Sequence, residues 1–280
     1  MTEPTEPAGR IPAQWTTVHT VITEDVVPGM RLGRNVRHDS RSLAYRYQAP
    51  AEVTLASASW TRHIPILDQG NVGSCTGNAL TGALGCDPLN AGLPAGHPAL
   101  DEAEALRIYS EAETIDGDGP YPPNDNGSSG LSVAQAAKAD GLVSGYTHCL
   151  SLADVQAALM AGPVLLGLNW YSSFDRPASS GLVAISKGAY VRGGHEVLAR
   201  SLDVDHQLIG IDNSWGTSWG AGGSFTMSWA TLDRLLHEQG DGTVLVPLSA
   251  PAPVPAPPAP ADADTAMAAA ARAWLTAKGL

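Results

Sequence analysis

The sequence predicts an α+β fold in two lobes, helical first and β-rich second. Apolar residues recur at helical spacing over 76–86, 100–113, 130–140 and 151–161. From residue 163 the texture changes to short strand-like runs: "PVLLGLNW", "GAYV", "HEVLARSLD", "HQLIGIDN", "GSFTMSW" and "GTVLVPL". Helices gathered ahead of strands, rather than alternating with them, distinguish α+β from α/β.

The elements follow in chain order. Residues 1–15 are polar and carry three prolines, so they are expected to be loose. Residues 16–50 mix apolar and basic side chains and read as an arm packed on the body. Together, 1–50 form an N-terminal extension to a globular domain over 51–248. Within that domain, "GLSVAQAAKAD" (130–140) is a helix stopped by Gly141. "SLADVQAALMA" (151–161) starts with a Ser151 cap and Asp154 three residues on, and ends at Gly162-Pro163. Residues 249–260, "SAPAPVPAPPAP", form an extended, semi-rigid linker. Residues 261–280 read as a helix with acids near its start, Lys278 near its end, and Met267, Ala271 and Trp274 at helical spacing. So short a helix is marginal alone. It is expected to dock on its own domain, a second copy or another protein.

Composition narrows the function classes. Of 280 residues 44% are hydrophobic and 16% charged, and the formal net charge is −12. An acidic body repels a phosphate backbone, which argues against nucleic acid as the main partner. Arg31, Arg34, Arg37, His38, Arg41 and Arg46 form a local basic stretch, read as solvated or paired with acids. No run approaches the roughly 18 apolar residues of a membrane span. "MTEPTEPAGR" has no apolar core, so no secretory leader is expected. The expected location is cytoplasmic, or virion-associated and released by lysis. Cys75, Cys86 and Cys149 are the three cysteines. Too few for a disulfide framework, they have no zinc-ligand spacing, and no metal or organic cofactor is expected. The spacing leaves a Cys86–Cys149 pair open.

Chemistry points to residues 64–80, "IPILDQGNVGSCTGNAL". A turn delivers Cys75 to the first turn of a helix, where unpaired N–H groups and the helix dipole favour the thiolate. A lone cysteine there is weak evidence. "RGGHEVLA" (192–199) adds His195 at the head of a strand, and "NSWGTSWG" (213–220) adds Asn213 at the end of one. Gln69-Gly70, Gly73-Ser74-Cys75, Gly194-His195 and Asn213-Ser214-Trp215-Gly216 together resemble the motifs of the papain-like (C1 family) cysteine peptidases, most closely a bacterial or viral branch. His195 and Asn213 lie 120 and 138 residues beyond Cys75, near the roughly 130–150 of such enzymes. The resemblance covers 51–248 well and both ends poorly.

The resemblance implies a two-lobe fold, helical around Cys75 and barrel-like around His195 and Asn213, and a peptidase acting on proteins or peptides. Cys75 would attack the carbonyl, His195 would move the proton, and Asn213 would orient the imidazole. Gln69 and the Cys75 N–H would hold the oxyanion. Trp215 would shield the Asn213–His195 hydrogen bond. The implied substrate-binding positions are Gly127, Ser128, Ser129, Gly194 and Trp215, with 126–130 as the strip that pairs with substrate backbone. Glu196 should face away from His195 along the strand and takes no catalytic part. Trp219 reads as packing. Val72 stands where the family often has a bridged cysteine, and Thr76 where an aromatic residue commonly follows the nucleophile. The first 50 residues are short for an inhibitory pro-segment yet long enough to occlude a cleft. Two rival readings are a cell-wall peptide hydrolase and a catalytically idle binding or structural protein, such as a viral particle component.

Overall fold

The computed structural model describes residues 18–38, 45–47 and 53–248. The expected loose segment 1–15, the linker 249–260 and the helix 261–280 lie outside those residues.

The N-terminal segment contributes β1 (Val18–Thr20) and β2 (Val36–His38), an antiparallel pair. After β3 (Ala58–Ser59) come α1 (Cys75–Leu84), α2 (Glu102–Asp116) and α3 (Gly130–Ala139). Asp101 caps α2 by accepting from Ala103 N and Glu104 N, and Ser129 caps α3 by accepting from Ser132 N. β4 (Gly145–Cys149) leads to α4 (Leu152–Leu159), which Ser151 caps as expected, through Asp154 N. The strands β5 (Val164–Tyr171), β6 (Leu182–Val183), β7 (Val191–Asp203), β8 (Leu208–Asp212) and β9 (Ser224–Ser228) follow, then α5 (Trp229–His237) and β10 (Asp241–Val246).

The main sheet runs β4-β10-β5-β7-β8-β9-β6, with β3 on β7, and is antiparallel except for β6 on β9. Alternation along β5 and β7 splits the apolar residues between two cores. Leu165 and Leu198, cross-strand partners, face a core built from α1, α2 and α3 with Leu80, Leu84, Ile108 and Val133. Val164, Leu166, Val197 and Ala199 face a second core with Val155, Leu159, Leu232 and Leu235 from α4 and α5. Each such buried side chain contributes about 1.5–3 kcal/mol. One sheet thus joins the helical and β-rich lobes, and α1 packs directly on β7.

Three elements differ from the sequence reading. "GAYV" is no separate strand; Val191 begins the long β7. The run "GSFTMSW" ends at Ser228, which caps α5 by accepting from Thr231 N. Leu232, Leu235 and Leu236 at helical spacing were the signal for that helix. β4 has a mixed polar pattern and is fixed by pairing with β10, a contact nearly 100 residues distant in sequence. All three cysteines are free and buried, and Cys86 and Cys149 sit in different cores, so they form no pair.

Candidate active site

α1 begins at Cys75, and Ser74 at its cap offers no side-chain hydrogen bond to the first turn. The thiol therefore lies beside the unpaired N–H groups of the helix start. Cys75 Sγ accepts from Glu196 N at 3.4 Å, which brings the sulfur to β7 at the residue after His195. β8 ends at Asp212, and the next residue turns its side chain back: His195 Nε2 and Asn213 Oδ1 are 2.7 Å apart. Asn213 Oδ1 also accepts from Ser214 N at 2.8 Å, so the carboxamide is held and the imidazole donates through Nε2. His195 Nδ1 is buried without a hydrogen bond, and none joins it to Cys75 Sγ in this closed state.

Aromatic rings fix the imidazole. Trp215 stacks on His195 with centroids 5.0 Å apart at 27°, and Trp170 meets it edge-on at 4.8 Å. Trp215 is 4% exposed, so it keeps water from the His195–Asn213 bond. Trp219 packs against Trp170, Trp215 and Phe225 and donates to Asp175 O, a packing role. Gln69 Oε1 accepts from Ser214 Oγ at 2.6 Å, which points its amide nitrogen toward Val72 O and the cleft.

The cleft is filled. Residues 30–35 cross it as a strap. Gln69 Nε2 lies 3.3 Å from Leu32 O, and Trp215 Nε1 donates to Arg31 O at 2.9 Å. Gly33 N and Arg34 N both donate to Gly194 O, Ser128 N donates to Gly33 O, and Asn35 N donates to Ser128 O. Arg34 thereby pairs with Ser128 in parallel, as an added strand would. Leu32 and Arg34 are buried, as are Cys75 and His195 beneath them. Gly33 has φ +136°, and a side chain there would run into Gly73 O.

The structure brings Gln69, Cys75, His195, Asn213, Gly194 and Trp215 to one place. On the 126–130 strip the backbone faces the strap and the side chains turn elsewhere. Ser128 meets the strap through its backbone while its Oγ donates to Asp116. The Ser129 side chain caps α3 instead of facing the cleft. Gly127 lies against the Gly33 carbonyl, and its N–H donates to Tyr109 Oη.

The sequence reading had an arm able to occlude a cleft, with a basic stretch in it, but did not single out residues 30–35 as the part that crosses. Arg31 pairs with Glu24 and Asp125, Arg34 and His38 approach Asp241, Arg37 pairs with Asp116, and Arg46 pairs with Asp154. A basic segment on an acidic body was the available signal. Arg192 was missed outright. It is buried, pairs with Asp175 at 3.1 Å, and donates to Asp25 O and Met30 O, anchoring the approach to the cleft.

Burial pushes the Cys75 thiol up, and the Glu196 N–H bond offsets only part of that. Burial also pushes His195 down to about 3, against the Asn213 hydrogen bond. Under the strap both groups are therefore neutral at pH 7, and the helix start alone does not yield a thiolate. Between about pH 3 and 6.5 the unfolded chain protonates this histidine and the folded chain does not, so acidification favours unfolding. His195→Gln removes that contribution. In urea titrations across this window, the parent is expected to lose more stability on acidification than the variant does. Parallel pH curves would contradict the burial of a neutral imidazole.

No protein-family model matches the chain, and no curated protein matches it in sequence. Among solved structures it is similar to xylellain, a cysteine protease from Xylella fastidiosa. The identity is 20% and the TM-score 0.64, over 82% of this chain and 100% of that one. It is also similar to digestive procathepsin L 3 of the Tenebrio molitor larval midgut, at 16% identity and a TM-score of 0.53, over 77% and 75%. The fold is that of the papain-like cysteine proteases, the two-lobe α+β arrangement.

Proposed function

We propose that the protein is a latent papain-like cysteine peptidase that hydrolyses peptide bonds in proteins or peptides through Cys75, His195, Asn213 and Gln69. The observation that carries this reading is the convergence of these side chains at one cleft, with the imidazole held by Asn213 through Nε2 and its Nδ1 left free. A free, buried nitrogen beside a cysteine-bearing helix start is the arrangement a thiol nucleophile needs.

In the proposed reaction, Cys75 Sγ attacks the carbonyl carbon and its proton passes to His195 Nδ1. The oxyanion takes hydrogen bonds from Gln69 Nε2 and Cys75 N. Collapse breaks the C–N bond, and His195 hands the proton to the departing amine. Water then attacks the thioester with His195 as base, releasing the carboxylic acid and the thiol. Leu32 O lies by the same Gln69 amide that would stabilise the oxyanion, so the strap must move before substrate enters.

Because the strap covers Cys75, the test uses a Gly33→Val chain, whose added Cβ meets Gly73 O and frees the cleft: reaction with a thiol-directed epoxide, adduct mapping by mass spectrometry, and a casein assay. Labelling is expected at Cys75 alone and lost in His195→Ala, with casein hydrolysis abolished in Cys75→Ala. Equal labelling of all three cysteines would favour an idle scaffold. Hydrolysis of purified cell wall but not casein would favour the cell-wall reading. Gln69→Ala is expected to lower kcat roughly 100- to 1000-fold, the usual cost of one oxyanion donor, with Cys75 labelling retained. An unchanged kcat would remove Gln69 from the mechanism.

A further inference from the structure

Arg34 enters the body of the protein at a position prepared for it. Asp241 on β10, Gly167 on β5 and Glu196 on β7 stand side by side in register across three strands. The outer two carry carboxylates on one face, and the middle one carries no side chain, which leaves a hole between them. A Cβ on Gly167 would lie 2.6 Å from Arg34 Nε and 2.9 Å from Glu196 Oε2. Gly130, at the start of α3, opens the other wall: a Cβ there would lie 2.7 Å from Glu196 Oε1 and 3.1 Å from Thr243 Oγ1. The guanidinium fills the hole. Arg34 Nη2 donates to Asp241 Oδ2 at 3.0 Å and to Gln239 O at 2.8 Å, and His38 Nε2 stands 3.6 Å from Asp241 Oδ2. Glu196 is fully buried, and neither of its oxygens has a hydrogen-bond partner.

We propose that this hole is a specificity pocket of the site, and that it takes an arginine side chain of the peptide substrate. Arg34 occupies it now as a stand-in from the chain itself. The proposal rests on the peptidase reading for the word substrate, while the pocket rests on its own geometry. A peptide whose backbone pairs with Ser128 N–H and C=O, as the strap does, sets one side chain over the same hole. When the strap leaves, Asp241 loses the guanidinium it is paired with, and a buried carboxylate without a cation is costly. A guest guanidinium removes that cost, whereas a leucine adds to it. The pairing runs through Arg34 Nη2 alone, and Nε and Nη1 are buried without a hydrogen-bond partner. Burial pushes Glu196 well above the usual carboxylate range, while Arg34 and His38 hold Asp241 low despite its burial.

The experiment uses the full-length chain with Gly33→Val to free the cleft, opening being checked by alkylation of Cys75. Fluorogenic peptides carry Arg or Leu at each of the three residues before the cleaved bond. The same peptides as uncleavable amides are titrated by fluorescence anisotropy. The expected result is one position at which Arg exceeds Leu at least tenfold, both in binding and in kcat/KM. Glu196→Gln and Asp241→Asn should bring that ratio toward one. Equal binding of both series overturns the proposal. An Arg preference in binding without hydrolysis of any peptide supports the pocket and refutes the peptidase reading. A second measurement needs neither opening nor pocket variants. Full-length Arg34→Ala should be stabilised by N-methylguanidinium, its melting temperature rising saturably and beyond the effect of equal sodium chloride. No such rise overturns the pocket.

Discussion

A Gly33→Val chain is expected to react with iodoacetamide at Cys75 roughly 100-fold faster than the parent. Residue 33 has φ +136°, and any Cβ there meets the Gly73 carbonyl. Strain of that kind costs about 1–3 kcal/mol, and overpacking adds about as much. The cost falls on the closed state alone, because the displaced strap is free to adopt an ordinary backbone. Each 1.4 kcal/mol shifts the closed-to-open ratio about tenfold, so a hundredfold change in labelling follows. Cys86 and Cys149 serve as internal controls, being buried in separate cores, of which only the Cys149 one includes a strap residue, Leu32. If they label along with Cys75, the chain has unfolded. An unchanged rate at Cys75 would show that the strap does not limit access.

Trp170→Ala is expected to lower stability by about 3–5 kcal/mol, read from the midpoint of urea unfolding at constant slope. Trp170 is fully buried and touches Phe174, His195, Trp215, Trp219 and Phe225. Its Nε1 donates to Asp175 Oδ1, the carboxylate that also receives Arg192 Nε. Removing the indole thus opens a cavity under the imidazole and frees the carboxylate that orients Arg192, whose guanidinium holds the strap at Met30 O. Trp170→Phe should recover most of the stability but not the Asp175 hydrogen bond. A cost below about 1 kcal/mol for Trp170→Ala would mean that the aromatic cluster collapses to fill the space.

The helices and the central strands were legible because their apolar spacing matches the two sides of one sheet. Leu165 and Leu198 read toward one core, and Leu166 and Val197 read toward the other. Cys75, His195 and Asn213 were legible as motifs, although His195, read as a strand head, sits inside β7, which begins at Val191. The strap was not singled out within its arm. Its contacts join residues 30–35 to positions 128 and 194, and no local pattern in "MRLGRN" encodes a partner so distant. The Arg34 pocket was hidden for the same reason: Gly167, Glu196 and Asp241 become neighbours only once three strands pair. Ser129 was drawn toward the cleft by proximity in sequence, yet its hydroxyl is committed to the first turn of α3.

Because the strap belongs to the same chain as the cleft, its local concentration there is of millimolar order for a short tether. Severing the chain beyond His38 would convert that into an ordinary bimolecular equilibrium. Latency would then fade on dilution and return when the released piece is added back, so one cut would turn a built-in plug into a soluble inhibitor.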